Sequence, residues 1–340
     1  MSRGISLSFR ILLFSEVMEL EMDNLPFVFN VALPSTLSAD LTAAVELAKA
    51  EKAPATRKAY GTDFRLFREW CEAKGAHALP ASSDTVAAFL AAEMAQGIKP
   101  STLGRRVAAI RYAHKLAGLP TPTDAETVKA TLRGIRRTVG AAKVRKSPAV
   151  AAKLQSMVAT APDTLTGLRD RALLLLGFGG AFRRSELVAL DVSDISETDT
   201  GLLVTIRQSK TDQDSEGATI AVARGDVACP AKALRTWLDA SDIDSGPIFR
   251  PINKAGTVAD TRLTDRSVAN IVKAYAKRAG LDEALFSGHS LRAGFLTSAA
   301  GNGASIFKMM DVSRHKSVET LRGYVRDAEL FKDHAGAGLL

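Results

Sequence analysis

Cysteine, tryptophan and tyrosine are scarce in this chain of 340 residues, with two, two and four copies. Cys71 and Cys229 lie far apart in sequence and make neither a disulfide framework nor a zinc ligand set. Long hydrophobic runs are missing as well. The longest, Ala172–Phe182, has eleven residues between Arg171 and Arg183, against about 20 for a bilayer span. No transmembrane helix and no membrane partner is therefore expected. Ile5 to Phe14 is apolar but broken by Arg10 and followed by Glu16, Glu19 and Glu21, which does not fit a signal peptide. Residues 1–37 read as a tail, or as upstream sequence if the natural start is Met18 or Met22, and cytoplasm is the expected compartment. Hydrophobic residues at 46% and charged residues at 24% exclude a disordered or collagen-like chain and suffice for a core. The length suggests two domains.

Basic residues outnumber acidic ones by 45 to 37, and the excess is localised. Residues 38–147 carry 19 basic and 10 acidic groups, while 1–37 carry 2 and 4. A compact segment with that excess favours a polyanion, nucleic acid before membrane.

From 38 to 140 the punctuation predicts an all-α domain. Thr56 is a cap for a helix in which Tyr60, Phe64, Phe67 and Cys71 share a face, with Arg57, Lys58, Arg65 and Arg68 opposite. Asp84 caps a second helix, and Ser101 opens a third bearing Arg105, Arg106, Arg111 and Lys115. Asp124 opens a fourth with Val128, Leu132, Ile135 and Val139 on one stripe and Arg133, Arg136 and Arg137 on the other. Residues 141–147, which include Lys143, form a basic linker suited to lie against phosphates. The remainder, 148–340, is α-rich with a small antiparallel sheet: one hairpin, Leu202–Arg207 against Ala218–Val222, or three strands at most. Gly177, Gly179 and Gly180 do not form a phosphate loop, because they follow no strand and precede no Gly-Lys-Ser/Thr.

Four patches in this half carry residues suited to phosphoryl transfer without a metal. They are Gly180-Ala-Phe-Arg183-Arg-Ser-Glu186, the turn Arg207-Gln-Ser-Lys210-Thr, Ser287-Gly-His289-Ser-Leu-Arg292, and Ser313-Arg-His315-Lys-Ser followed by Gly323-Tyr324-Val. Each is weak alone; the order and spacing together are specific. In this pattern the chain resembles the tyrosine recombinase (phage integrase) family, most closely its Cre-like branch. The resemblance implies Arg183, Lys210, His289, Arg292 and His315 as catalytic residues, Tyr324 as nucleophile and Glu186 as support. Arg184 is a rival for the first arginine; the Arg-Ser-Glu-Leu register favours Arg183.

The chemistry agrees with that assignment. Guanidinium forks grip non-bridging phosphate oxygens bidentately, and each aligned donor contributes on the order of 10²–10³ in rate. A phenol with a pKa of about 10 needs help to lose its proton, which suggests His289, and the leaving 5′-hydroxyl needs a proton, which suggests Lys210. A covalent 3′-phosphotyrosyl link keeps the bond energy, so neither metal nor nucleotide cofactor is expected. The partners implied are double-stranded DNA with a specific site and a homo-tetramer, with the C-terminal stretch docking on a neighbouring subunit, and nucleoid DNA is the implied place of work. Thr264 opens a helix whose Arg266 is placed to read a guanine, while the N-terminal arginines and lysines mostly contact phosphates. Two alternatives remain: a type IB topoisomerase-like relaxing enzyme, and a DNA-binding protein of recombinase ancestry that no longer cuts.

Overall fold

The computed structural model describes residues 51–140, 146–207 and 217–328, together with three isolated positions between 40 and 47. The chain divides into two compact units, Met1–Lys143 and Val144–Leu340.

The first unit is a helical bundle that packs α1 (Pro54–Ala73), α2 (Ser83–Ala95), α3 (Pro100–Leu116) and α4 (Glu126–Val139) around one core. Phe64, Phe67 and Cys71 of α1 are buried with Phe89 and Leu90 of α2, Leu103, Val107 and Ile110 of α3, and Val128 and Ile135 of α4. Tyr60 stays half-buried and packs against Tyr112 in a tilted pair with ring centroids 5.6 Å apart.

Helix starts differ from the sequence expectation by a few residues, for local reasons. Pro54 and Pro100 occupy first-turn positions, where a missing N–H is harmless. Ser82 rather than Asp84 caps α2, its hydroxyl accepting from the Thr85 N–H at 3.1 Å. Asp124 closes a 3₁₀ turn, so α4 starts at Glu126. The expected stripe on α4 ends early: Val139 in its last turn is exposed rather than core.

The second unit contains α5 (Ala151–Ala159), α6 (Leu165–Gly179), α7 (Arg184–Ala189), β1 (Ile195–Thr198), β2 (Gly201–Ile206), β3 (Ala218–Ala223), α8 (Pro230–Ser241), α9 (Asp265–Arg278), α10 (His289–Gly301), α11 (Ile306–Ser313) and α12 (Val318–Ala328). The sheet is antiparallel in the order β1-β2-β3, with Leu202 opposite Val222 and Ile206 opposite Ala218. Alternation puts Leu202, Val204 and Ile206 into the core and Leu203 and Thr205 outside. Helix α6, buried along most of its length, is the central strut.

The chain entering this unit is laced to α10 and to the 3₁₀ turn Glu283–Leu285 before it. Ser147 N–H donates to Leu285 O at 2.7 Å, Ala149 N–H to Ser290 O at 2.9 Å, and Ala151 N–H to Ser298 Oγ at 2.9 Å. The close approach needs Gly294, because a Cβ there would stand 2.0 Å from Ala149 O. The tail at 1–37 and the terminal segment at 329–340 lie outside the described residues.

Candidate active site

Three helix termini converge in the second unit. The N-terminus of α7 presents Arg183, α10 carries His289 and Arg292, and the turn between α11 and α12 carries His315, with Tyr324 two turns into α12. Two non-glycine residues at the site adopt left-handed backbone, Ala181 at φ 46° and Arg314 at φ 57°. Such conformations persist where surrounding contacts hold them, and they concentrate at functional sites. Here Ala181 O accepts a hydrogen bond from Arg292, while Arg314 is anchored by its own side chain on Glu186.

Arg292 is buried. Its Nη1 donates to Ala181 O at 2.6 Å, and its Nη2 donates to Ser313 O. Nη2 also stands 3.3 Å from both ring nitrogens of His315. Burial first, then the charges of Arg183 and Arg314, lower its pKa to about 9; the side chain stays cationic at neutral pH. One guanidinium thus ties the end of α6 to the end of α11 and keeps a positive charge between them.

Glu186, also buried, neutralises part of this charge. Its carboxylate accepts the Arg183 N–H at 2.8 Å, Arg183 Nη1 at 2.5 Å, and Arg314 Nη2 at 2.7 Å. Burial pushes the carboxyl upward, but the Arg314 charge and the two Arg183 hydrogen bonds outweigh it and leave the pKa below the usual value. Arg314 further donates to Val312 O at 2.7 Å, and its guanidinium lies 5.4 Å from the Phe182 ring centroid. Arg314 is the functional neighbour that sequence reasoning missed. Of the two adjacent arginines, Arg183 turns to Glu186, while Arg184 lies over Gly288 and reaches Asp265 at 3.5 Å.

His289 Nε2 stands 3.3 Å from Tyr324 Oη. The imidazole is exposed on one side and crowded by protein on the other. Burial and the neighbouring Arg292, Arg183 and Arg184 charges lower its pKa, so at pH 7 the ring is neutral and able to accept a proton. Tyr324 is half-buried, packed beside Leu296, Met309 and Leu321. His315 is pushed down to about 4 by burial, then by Arg292, Arg183, His289 and Arg314, and is neutral too. Its Nδ1 is 2.8 Å from Ser313 Oγ. Of the six expected catalytic residues, five gather here; Lys210 lies outside the described residues. Among the described residues no group of three His, Cys, Asp or Glu side chains is placed to hold a metal ion.

The basic residues expected to meet DNA divide by their surroundings. In the first unit Lys58, Arg65, Arg105, Lys115, Arg133, Arg136 and Arg137 are exposed, and Arg57, Arg68 and Arg111 half-exposed. Arg65 pairs with Glu69, Arg68 with Glu72, Arg111 with Asp124 and Arg133 with Glu126. Arg105 grips the buried Asp63 bidentately, at 2.6 and 3.1 Å. Arg106, expected on the exposed basic side, is instead buried between Glu93 and Asp63. In the second unit Arg266 is exposed in the first turn of α9, behind the Thr264 cap, with Lys273, Lys277 and Arg278 exposed along the same helix. Lys143 lies outside the described residues.

Among the described residues no helix is long and apolar enough to cross a membrane. Comparison with known proteins agrees with this geometry. Residues 150–330 match the phage integrase family and residues 46–118 the phage integrase N-terminal SAM-like domain. An integrase/recombinase XerD homolog of Selenomonas ruminantium is 40% identical over 319 residues, covering 92% of this chain and 93% of that protein. Recombinase Cre of Escherichia phage P1 is 26% identical over 285 residues, covering 78% and 82%. In fold, the chain is similar to the XerH site-specific recombinase in its post-cleavage complex with a palindromic difH substrate, with a TM-score of 0.62 at 14% identity and coverage of 91% and 85%. With the family pattern spanning more than half of the sequence and a relative at 40% identity along nearly all of it, the chain belongs to the phage integrase family of tyrosine recombinases.

Proposed function

We propose that this protein is a site-specific recombinase that cuts, exchanges and rejoins strands of double-stranded DNA through a covalent 3′-phosphotyrosyl intermediate. The observation that carries the reading is the 3.3 Å approach of Tyr324 Oη to a neutral His289, beside the buried cation Arg292. In this reading Arg183, Arg292 and His315 receive the non-bridging oxygens of the scissile phosphate. Tyr324 Oη bonds to phosphorus, its proton passes to His289 Nε2, and the bond from phosphorus to the 5′-oxygen breaks. Lys210 supplies the proton that the 5′-hydroxyl takes away. The 5′-hydroxyl of a second strand then attacks the phosphotyrosine and releases Tyr324. Glu186 and Arg314 hold Arg183 in place, which is a positioning role.

Residues 38–140 serve as the core-binding domain, 141–147 as the crossing linker, and 148–340 as the catalytic domain, with a C-terminal segment that docks on a neighbouring subunit. Exposed Lys58, Arg65, Lys115, Arg136 and Arg137 contact phosphates, and Arg266 reads a base. Strand exchange proceeds in a homo-tetramer on two paired sites, in the cytoplasm on nucleoid DNA. To test the reading, wild type and Tyr324→Phe are incubated with sheared DNA from the source genome and denatured, and DNA still attached to protein is sequenced. Attachment by wild type alone, at a recurring sequence, is the expected result. Attachment by neither, with binding intact, overturns it in favour of a binding protein that does not cut.

A further inference from the structure

Ser313 closes α11 with its side chain fully buried, and both ends of the residue serve the site. Its carbonyl accepts Arg292 Nη2. Its hydroxyl oxygen lies between two partners, Met309 O at 2.6 Å and His315 Nδ1 at 2.8 Å. A hydroxyl has one proton to give. A carbonyl oxygen can only accept, and two oxygens 2.6 Å apart without a proton between them repel, so the Ser313 proton is committed to Met309 O. The contact with His315 then holds only if the imidazole donates: Nδ1 carries the proton and Nε2 the lone pair. Arg292 Nη2, equidistant at 3.3 Å from both ring nitrogens, lies over the ring and favours neither tautomer.

We propose that Ser313 is a positioning residue that locks neutral His315 as its Nδ1–H tautomer, so that Nε2 becomes a hydrogen-bond donor to phosphate only by taking up a second proton. The proposal rests on the reading of His315 as a neighbour of the scissile phosphate. The proton comes from solvent as the phosphodiester anion enters and offsets the cations that keep His315 neutral. The charged and titratable groups facing it are Arg292 and His289 of α10, Arg183 ahead of α7, and the adjoining Arg314. DNA binding at this site is thereby coupled to uptake of one proton, a cost that a fixed N–H donor would not carry.

The tautomer can be read directly. In full-length protein labelled with ¹⁵N-histidine, long-range proton–nitrogen correlation separates protonated from bare ring nitrogens. With five histidines in the chain, His315 is assigned by the signals lost in His315→Gln. Wild type and Ser313→Thr, which keeps the hydroxyl, are expected to show a protonated Nδ1 and a bare Nε2. Ser313→Ala is expected to show a mixture in which Nε2–H gains. A wild-type His315 carrying Nε2–H, or an unchanged pattern in Ser313→Ala, overturns the proposal.

The pH profile of covalent complex formation supplies a second arm. Above the pKa of His315 in the DNA complex, the wild-type rate falls by about tenfold per pH unit, whereas the Ser313→Ala rate falls less steeply. A uniform loss of rate at every pH would mark a merely structural serine and overturn the proposal. If wild type forms no Tyr324-linked product at all, the recombinase reading fails, and the nitrogen spectrum still judges the lock.

Discussion

Replacing Glu186 by glutamine removes a single negative charge from the place where Arg183, Arg292 and Arg314 meet, while nearly preserving volume. The carboxylate is 3% exposed and accepts from Arg183 and Arg314 at 2.5 and 2.7 Å, and Arg292 lies within the same field. Removing one partner of a buried ion pair costs about 3–5 kcal/mol, because the remaining charge is left unmatched. Here two arginines lose their shared anion, and the glutamine amide turns a donor toward one of them, so Glu186→Gln is expected to destabilise the second unit by at least about 3 kcal/mol at pH 7.

The Glu186 pKa is depressed in the folded state. Its contribution is therefore fully present above the ordinary carboxylate value and is lost as pH falls through the lower folded value. The difference between wild type and variant should accordingly shrink in acid. Urea unfolding reads this cleanly, since the chain has two tryptophans. Trp237 is fully buried in the second unit and Trp70 belongs to the first, so a Trp70→Phe background reports the second unit alone. A loss below about 1 kcal/mol at pH 7, or a difference that does not change with pH, would refute the ion-pair argument.

Three further outcomes are expected. Lys115→Gln should reduce the slope of log K for DNA against log salt by about 0.9, from a total near −9 if about ten phosphates are neutralised. Arg106→Met should leave that slope unchanged and instead lower the unfolding midpoint of the first unit, because its partners are Glu93 and Asp63; an unchanged midpoint with a shallower slope would reverse the assignment. Gly294→Ala should destabilise the second unit by about 1–3 kcal/mol, as overpacking does, because its Cβ would meet the backbone carbonyl of Ala149; calorimetry showing no change would mean that the segment at 147–151 moves freely off α10.

Local chemistry was legible in the sequence where it depended on spacing within one element. The Arg-Ser-Glu spacing announced the contact of Glu186 with the Arg183 N–H, since three residues on a helix bring a carboxylate back over the preceding N–H. The hairpin followed from alternation in Leu202–Ile206. β1 carries an i-e-e-i exposure pattern and offered no such alternation. Arg106 was misplaced although its spacing held the signal: Leu103, Val107 and Ile110 define the buried face of α3, and position 106 falls on it. Arg314 was not legible, because Glu186, to which it donates, is far off in sequence and is reached only through a left-handed turn that no residue of the segment announces; the Ser313 hydroxyl has local partners, but its carbonyl's partner Arg292 comes from α10.

The central claim is that Tyr324 becomes joined to DNA. Protease digestion of the denatured complex, followed by mass determination of the peptide that retains nucleotide, locates the link directly. The account predicts a single modified peptide containing Tyr324, with its phosphate on the 3′ end of the cut strand. A nucleotide on any other residue, or a 5′-phosphate linkage at Tyr324, would contradict it.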